Sequence, residues 1–220
     1  MSMQPNRQSG FSLIELAVVL VIIGIILGAI LKGQDLINSS KVKKVQSDMS
    51  SIETMLWSYY DRKGRWPGDC DIDGLVGFQP VNAVSPAAAL DNSATDPSTI
   101  SCDAATPAED QNTAFADLRA AKLAPTSTVN AQLASHMANG VFNIGYADDT
   151  TNGLQANVIV AYDVPAWMAK MMDVSTDGQE DGATGRIRRW DSGVNGGTWP
   201  TTALDESSVA VAYYYDKILP

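Results

Sequence analysis

The sequence predicts an α+β fold in which one long N-terminal helix, transmembrane in its first half and amphipathic in its second, packs on a small antiparallel β-sheet head. Three observations predict it. An apolar stretch runs unbroken from Leu16 to Leu31. Apolar residues then recur at Val42, Val45, Met49, Ile52, Met55, Leu56 and Tyr59, which is helical spacing with a single buried stripe. Past residue 140, short runs rich in Val, Ile, Tyr and Trp are separated by Gly, Asp and Pro, the pattern of short strands and turns.

Taken in order, residues 1–10 form a short polar leader. Residues 11–31 form a helix that, at about 1.5 Å per residue, is long enough to cross a hydrocarbon core about 30 Å thick. Residues 32–66 continue it as the amphipathic half. Gly64 is a natural stop after Arg62 and Lys63, and Pro67-Gly68 bars continuation, so the helix is expected from Phe11 to Lys63. Residues 67–220 form a globular head. Gln79 to Asn112 is rich in Ala, Ser, Thr, Pro and Asp and reads as a connecting loop. Phe115 to Leu123 reads as a short helix, Val141 to Ala147 and Asn157 to Val164 as strands, and Pro165 to Met172 as a further helix. Arg186 to Trp190 and Val209 to Tyr215 complete the sheet.

The net charge of −10 is unevenly spread. Lys32 to Arg65 holds seven basic residues against four acidic ones, whereas the chain after Pro67 holds seven against twenty. An acidic head argues against a general grip on nucleic acid, which needs clustered Lys and Arg. It suits a soluble exported surface, or one that gathers cations. Lys41, Lys43 and Lys44 lie just beyond the apolar run.

The most informative segment is Ser9-Gly10-Phe11-Ser12-Leu13-Ile14-Glu15, placed directly before the apolar run. A secretory signal peptide puts its small-residue cleavage site after the apolar block; here the only such residue, Gly10, precedes it, so the helix stays with the mature chain. Glu15 is a carboxylate in a membrane helix, which costs a few kcal/mol on insertion scales (about 3) and marks function. The order of leader, glycine, aromatic, glutamate and apolar run resembles the class III signal of type IV pilins and of the pseudopilins of type II secretion. That resemblance implies a pilin-like lollipop fold. It also implies cleavage by a prepilin peptidase between Gly10 and Phe11, methylation of the new Phe11 amine, and a role for Glu15 in neutralising that amine on a neighbouring subunit. Many pilins carry a helix-kinking Pro near the position of Lys32; here Gly24 and Gly28 are the breakers in the span, in a GxxxG spacing that allows close helix approach.

A head outside the cytoplasm makes a Cys70–Cys102 disulfide the default reading, with two free thiols as the alternative. Asp69, Asp71 and Asp73 precede Gly74 in a D-x-D-x-D-G run, the front half of a calcium loop. Asp173, Asp177 and Asp181 form a second acidic run with Gly178 and Gly182. Neither has the closing glutamate. Calcium is the candidate cofactor for either, and an acidic surface turn, fold-determining in the second, is the alternative. His136 is the only histidine, expected to be solvated in a loop, and no nucleophile is paired with a base, so no enzyme is expected. Arg186, Arg188 and Arg189 beside Trp190 read as a salt-bridged strand edge before they read as a basic patch.

These observations and the resemblance imply a structural subunit of a type IV pilus or pilus-like filament. Its partners would be other copies of itself, the prepilin peptidase and an inner-membrane assembly platform. It would sit as a single-pass protein of the bacterial inner membrane before assembly, and in a periplasmic or extracellular filament afterwards. A pseudopilin of a type II secretion system, or a minor tip pilin acting as a binding module, are the alternatives.

Overall fold

The computed structural model describes residues 12–80, 90, 96–105, 107, 109–149, 154–190, 197–200 and 207–217. The chain divides into two compact units, residues 1–40 and 41–220. A single helix, α1 (Leu13–Lys63), is 51 residues long. In the first unit every side chain from Leu13 to Leu31 is exposed, and the apolar run is long enough to cross a membrane. Gly24 and Gly28 have no neighbouring atom that an added Cβ would meet.

In the second unit α1 turns Val42, Val45, Met49, Ile52, Leu56 and Tyr59 into the core, the stripe that the spacing predicts. Its outer face mixes small hydroxyl residues with charged side chains and the exposed rings of Trp57 and Tyr60. The hydroxyls of Ser51, Thr54 and Ser58 each donate to the carbonyl four residues back, at 2.7–2.8 Å. Gly64 closes the helix: with φ +72° it takes the left-handed conformation that side chains disfavour, and its N–H donates to the Tyr60 carbonyl at 2.8 Å.

The head is a four-stranded antiparallel sheet in the order β1-β2-β4-β3, formed by β1 (Phe142–Asp149), β2 (Leu154–Pro165), β3 (Ile187–Trp190) and β4 (Ser208–Tyr214). The long strand β2 is buried from Ala156 to Tyr162, as a central strand must be. A register shift between Ala161 and Val164 is accommodated by Asp163 at φ +57°. Helices α2 (Thr113–Ala120), α3 (Asn130–Ala134) and α4 (Ala166–Asp177) accompany the sheet, and among the described residues a 3-10 turn lies at Pro97–Thr99.

The architecture is the predicted one, a long helix packed on a small antiparallel sheet, with strand bounds within three residues of those expected. The differences are local. The fourth helix runs on to Asp177 because nothing breaks it before Gly178, which caps it at φ +79°. The segment 79–112 holds the 3-10 turn, which starts at a proline and is capped by Asp96; residues 81–89, 91–95, 106 and 108 of that loop lie outside the described residues. His136 is not solvated but 6% exposed.

Candidate functional site

Gly10 and Phe11, the expected cleavage and methylation positions, lie outside the described residues. The described chain begins at Ser12, where the helix start shows what Glu15 does locally. The Ser12 N–H donates to Glu15 Oε2 at 2.9 Å, and the Ile14 N–H donates to Ser12 Oγ at 3.3 Å. This is a reciprocal capping box, Ser-x-x-Glu, which satisfies two of the orphan amides at a helix N-terminus. It also sets a negative charge against the positive end of the helix dipole. Oε2 is the oxygen engaged among the described residues, so the carboxylate keeps a second oxygen for a charge from outside. The S-x-x-E spacing that signals such a box is present in the sequence at Ser12 and Glu15.

In the head, Cys70 and Cys102 form a disulfide with Cα atoms 5.0 Å apart, so the free-thiol alternative falls away. The bridge sits on a polar hub that the sequence does not advertise. Asp117, on α2, is 1% exposed; its Oδ2 accepts from Arg65 Nη1 and from the Gly68 N–H, both at 2.9 Å, and its Oδ1 accepts from the Cys102 N–H at 3.0 Å. One carboxylate thereby ties Arg65 just past α1, the Pro67-Gly68 turn and the turn bearing Cys102. Asp103, 62% exposed, adds longer contacts of 3.5 Å to Lys63 and Arg65.

Beside the disulfide, Asp69, Asp71 and Asp73 bring carboxylate oxygens within 4.8 Å of one another, so the triad is capable of coordinating a divalent cation. Asp69 is buried, and burial pushes its carboxyl above the usual range. It accepts from the Asp73 and Gly74 amides, both at 3.2 Å, while Asp71 and Asp73 are exposed. The second acidic run is differently engaged. Asp173 Oδ2 accepts from the indole N–H of Trp199 at 2.6 Å and from the amides of Asp181 and Gly182. Asp177 caps the amides of Arg186 and Ile187, and Asp181 those of Ala183 and Thr184. Among the described residues these three carboxylates are not brought together as a cation site; they fix the turn that leads into β3.

His136 lies against the Phe142 ring with both nitrogens engaged. Nε2 lies 2.8 Å from the Tyr162 carbonyl and Nδ1 accepts from the Ala138 N–H, which makes Nε2 the protonated nitrogen of the neutral ring. Burial holds its pKa below the ordinary histidine value. The three arginines at the β3 edge engage rings and carbonyls. Arg186 and Arg188 stand over the Tyr213 and Tyr214 rings, and Arg189 Nη1 donates to the Thr198 carbonyl. Tyr213 in turn donates to Glu53 of α1 at 2.9 Å, which fastens strand to helix.

No curated protein and no solved structure matches the chain. Residues 5–31 match the model of the prokaryotic N-terminal methylation motif. The chain thus bears a prepilin-type methylation motif at the start of an apolar helix, consistent with the broader superfamily of type IV pilins and pseudopilins.

Proposed function

We propose that this protein is a structural subunit of a type IV pilus or pilus-like filament, cleaved after Gly10, methylated on Phe11 and assembled through α1. The observation that carries the proposal is Glu15. It is a single carboxylate near the start of an exposed apolar helix, inside the methylation motif, with one oxygen spent on the helix cap and one in reserve for a partner. A charge in such a helix needs a counter-charge, and a processed Phe11 amine on a neighbouring copy supplies it. The function so assigned is polymerisation without catalysis, from the bacterial inner membrane outward, with the prepilin peptidase and an assembly platform as partners. Calcium is the ion that suits the oxygen-only triad Asp69, Asp71 and Asp73.

Mass spectrometry on filaments sheared from cells tests this. A dominant peptide beginning at methylated Phe11 is the expected result. The processed peptide confined to the membrane fraction would move the protein to the pseudopilins or minor subunits, and an unprocessed N-terminus would remove the proposal.

A further inference from the structure

The second unit, residues 41–220, carries exposed lysines where its part of α1 begins and exposed aspartates beyond where α1 ends. At one end, Lys41 and Lys43 are exposed, and among the described residues neither has an ion-pair partner; Lys44 beside them is held by Asp48 at 2.6 Å. This end is fixed by Gln46, whose amide donates to Ser175 Oγ at 2.6 Å near the close of α4. At the other end, past Lys63, Asp71 and Asp73 are exposed on either side of Ile72, which is 69% exposed at φ +62°. Asp73 caps the Leu75 amide of its own turn, and neither carboxylate has an ion-pair partner among the described residues. Of the nearby cations, Arg65 is committed to Asp117 and Asp103 and Lys63 to Asp103, while Arg62 is exposed on the last turn of α1. The aspartate end is fixed to the start of β2, where Asn157 Nδ2 donates to the Gly74 carbonyl at 3.0 Å. Along α1, Lys41 and Lys63 are about 33 Å apart at 1.5 Å per residue.

We infer that these ends are the two halves of one head-to-tail contact, in which Asp71 and Asp73 of one copy dock on Lys41 and Lys43 of the next. This rests on the filament reading and names a contact within it. A contact between two different patches on the same chain is heterologous, and when its rotation does not close it generates an open helical filament. The occupant is a second copy because the complementary charges are present on the chain itself, at opposite ends of one unit. Two carboxylates face two ammonium groups, and Ile72 supplies the apolar centre that surface ion pairs alone lack. A divalent cation in the triad would leave it formally −1, still attractive to lysine.

Charge reversal in the full chain, expressed in cells, tests the contact. Asp71→Lys with Asp73→Lys, or Lys41→Asp with Lys43→Asp, should each lower the yield of sheared filaments by about tenfold or more, a 1.4 kcal/mol effect per decade. The fourfold variant should restore it. Thiol labelling that finds Cys70 and Cys102 still bridged, and a processed Phe11 peptide in the membrane fraction, establish that each variant is folded and matured. Reversals that leave the yield unchanged would overturn the inference. So would a fourfold variant as poor as either pair, which would assign the lysines to anionic lipid headgroups. A second readout needs no variant: wild-type filaments should shorten on transfer from 0.1 M to 1 M NaCl, where the screening length falls from about 10 to about 3 Å. Filaments indifferent to salt would count against the contact. A wild-type chain that makes no filament at all would instead defeat the filament reading.

Discussion

The helix cap that Glu15 makes and the charge neutralisation proposed for it can be separated by one atom. Glu15→Gln keeps a side-chain oxygen that can accept the Ser12 N–H, as in other capping boxes, but removes the charge. Glu15→Val removes both. The cap alone is worth about 1 kcal/mol, so Val frays the helix start by that much and Gln by little. The charge is worth more: removing one partner of a desolvated ion pair leaves the other uncompensated, at a cost of about 3–5 kcal/mol. At 1.4 kcal/mol per decade, that weakens each subunit addition by a factor on the order of several hundred. Both variants should therefore insert in the membrane and be processed, yet fail to polymerise to a similar extent. The assay is the ratio of sheared to membrane-held subunit for the two variants and the wild type. If Glu15→Gln assembles like the wild type while Glu15→Val does not, Glu15 is a helix cap and the neutralisation argument is refuted.

The head makes further predictions. Asp117→Ala should destabilise by about 4 kcal/mol, because Arg65 loses its close partner and two amides lose their acceptor, whereas Asp103→Ala at an exposed pair should cost under about 1 kcal/mol; near-UV circular dichroism melts of the detergent-solubilised chain compare them. Removing the Cys70–Cys102 bridge, with 32 residues of separation, should cost about 3.7 kcal/mol by loop entropy, read in the same melts with and without reductant. Because burial lowers the His136 pKa, the unfolded chain binds its proton first as pH falls below about 6.5. Stability from this group is thus complete above that pH and declines below it, and His136→Gln should flatten that limb of a stability–pH curve. Calcium at a hundredfold excess over its dissociation constant should add about 2.7 kcal/mol to the head if the aspartate triad holds it, and an unchanged melting temperature would mark a plain acidic turn.

What the sequence disclosed depended on whether the deciding partner was local. The stripe from Val42 to Tyr59, the stop at Gly64 and the strands around Val158 and Val211 follow from periodicity and backbone preference, both local properties. The two cysteines pair, as expected of a head outside the cytoplasm. Asp117 was invisible because its value lies in Arg65, 52 residues earlier, and in amides of two other segments; an Asp in a short helix otherwise reads as solvated. His136 is buried against expectation for the same reason, since its acceptor is a carbonyl 26 residues away on β2. The two aspartate runs look alike on paper and diverge in space, because which amides and which indole a carboxylate meets is decided by the turn and not by the spacing.

The serine and threonine hydroxyls on the outer face of α1 have a bearing on hydration. Ser51, Thr54 and Ser58 direct their protons to carbonyls of their own helix, so water at that face is an optional second partner and not the one that satisfies the donor. Stripping a hydroxyl of its water is expensive when nothing replaces it, on the order of 1–3 kcal/mol in proteins, and cheap when the donor bond is already made inside. These three hydroxyls can therefore be dried without stranding their protons. Wetting at their positions is reversible at small cost, so they suit water and the dry interior of an assembly alike.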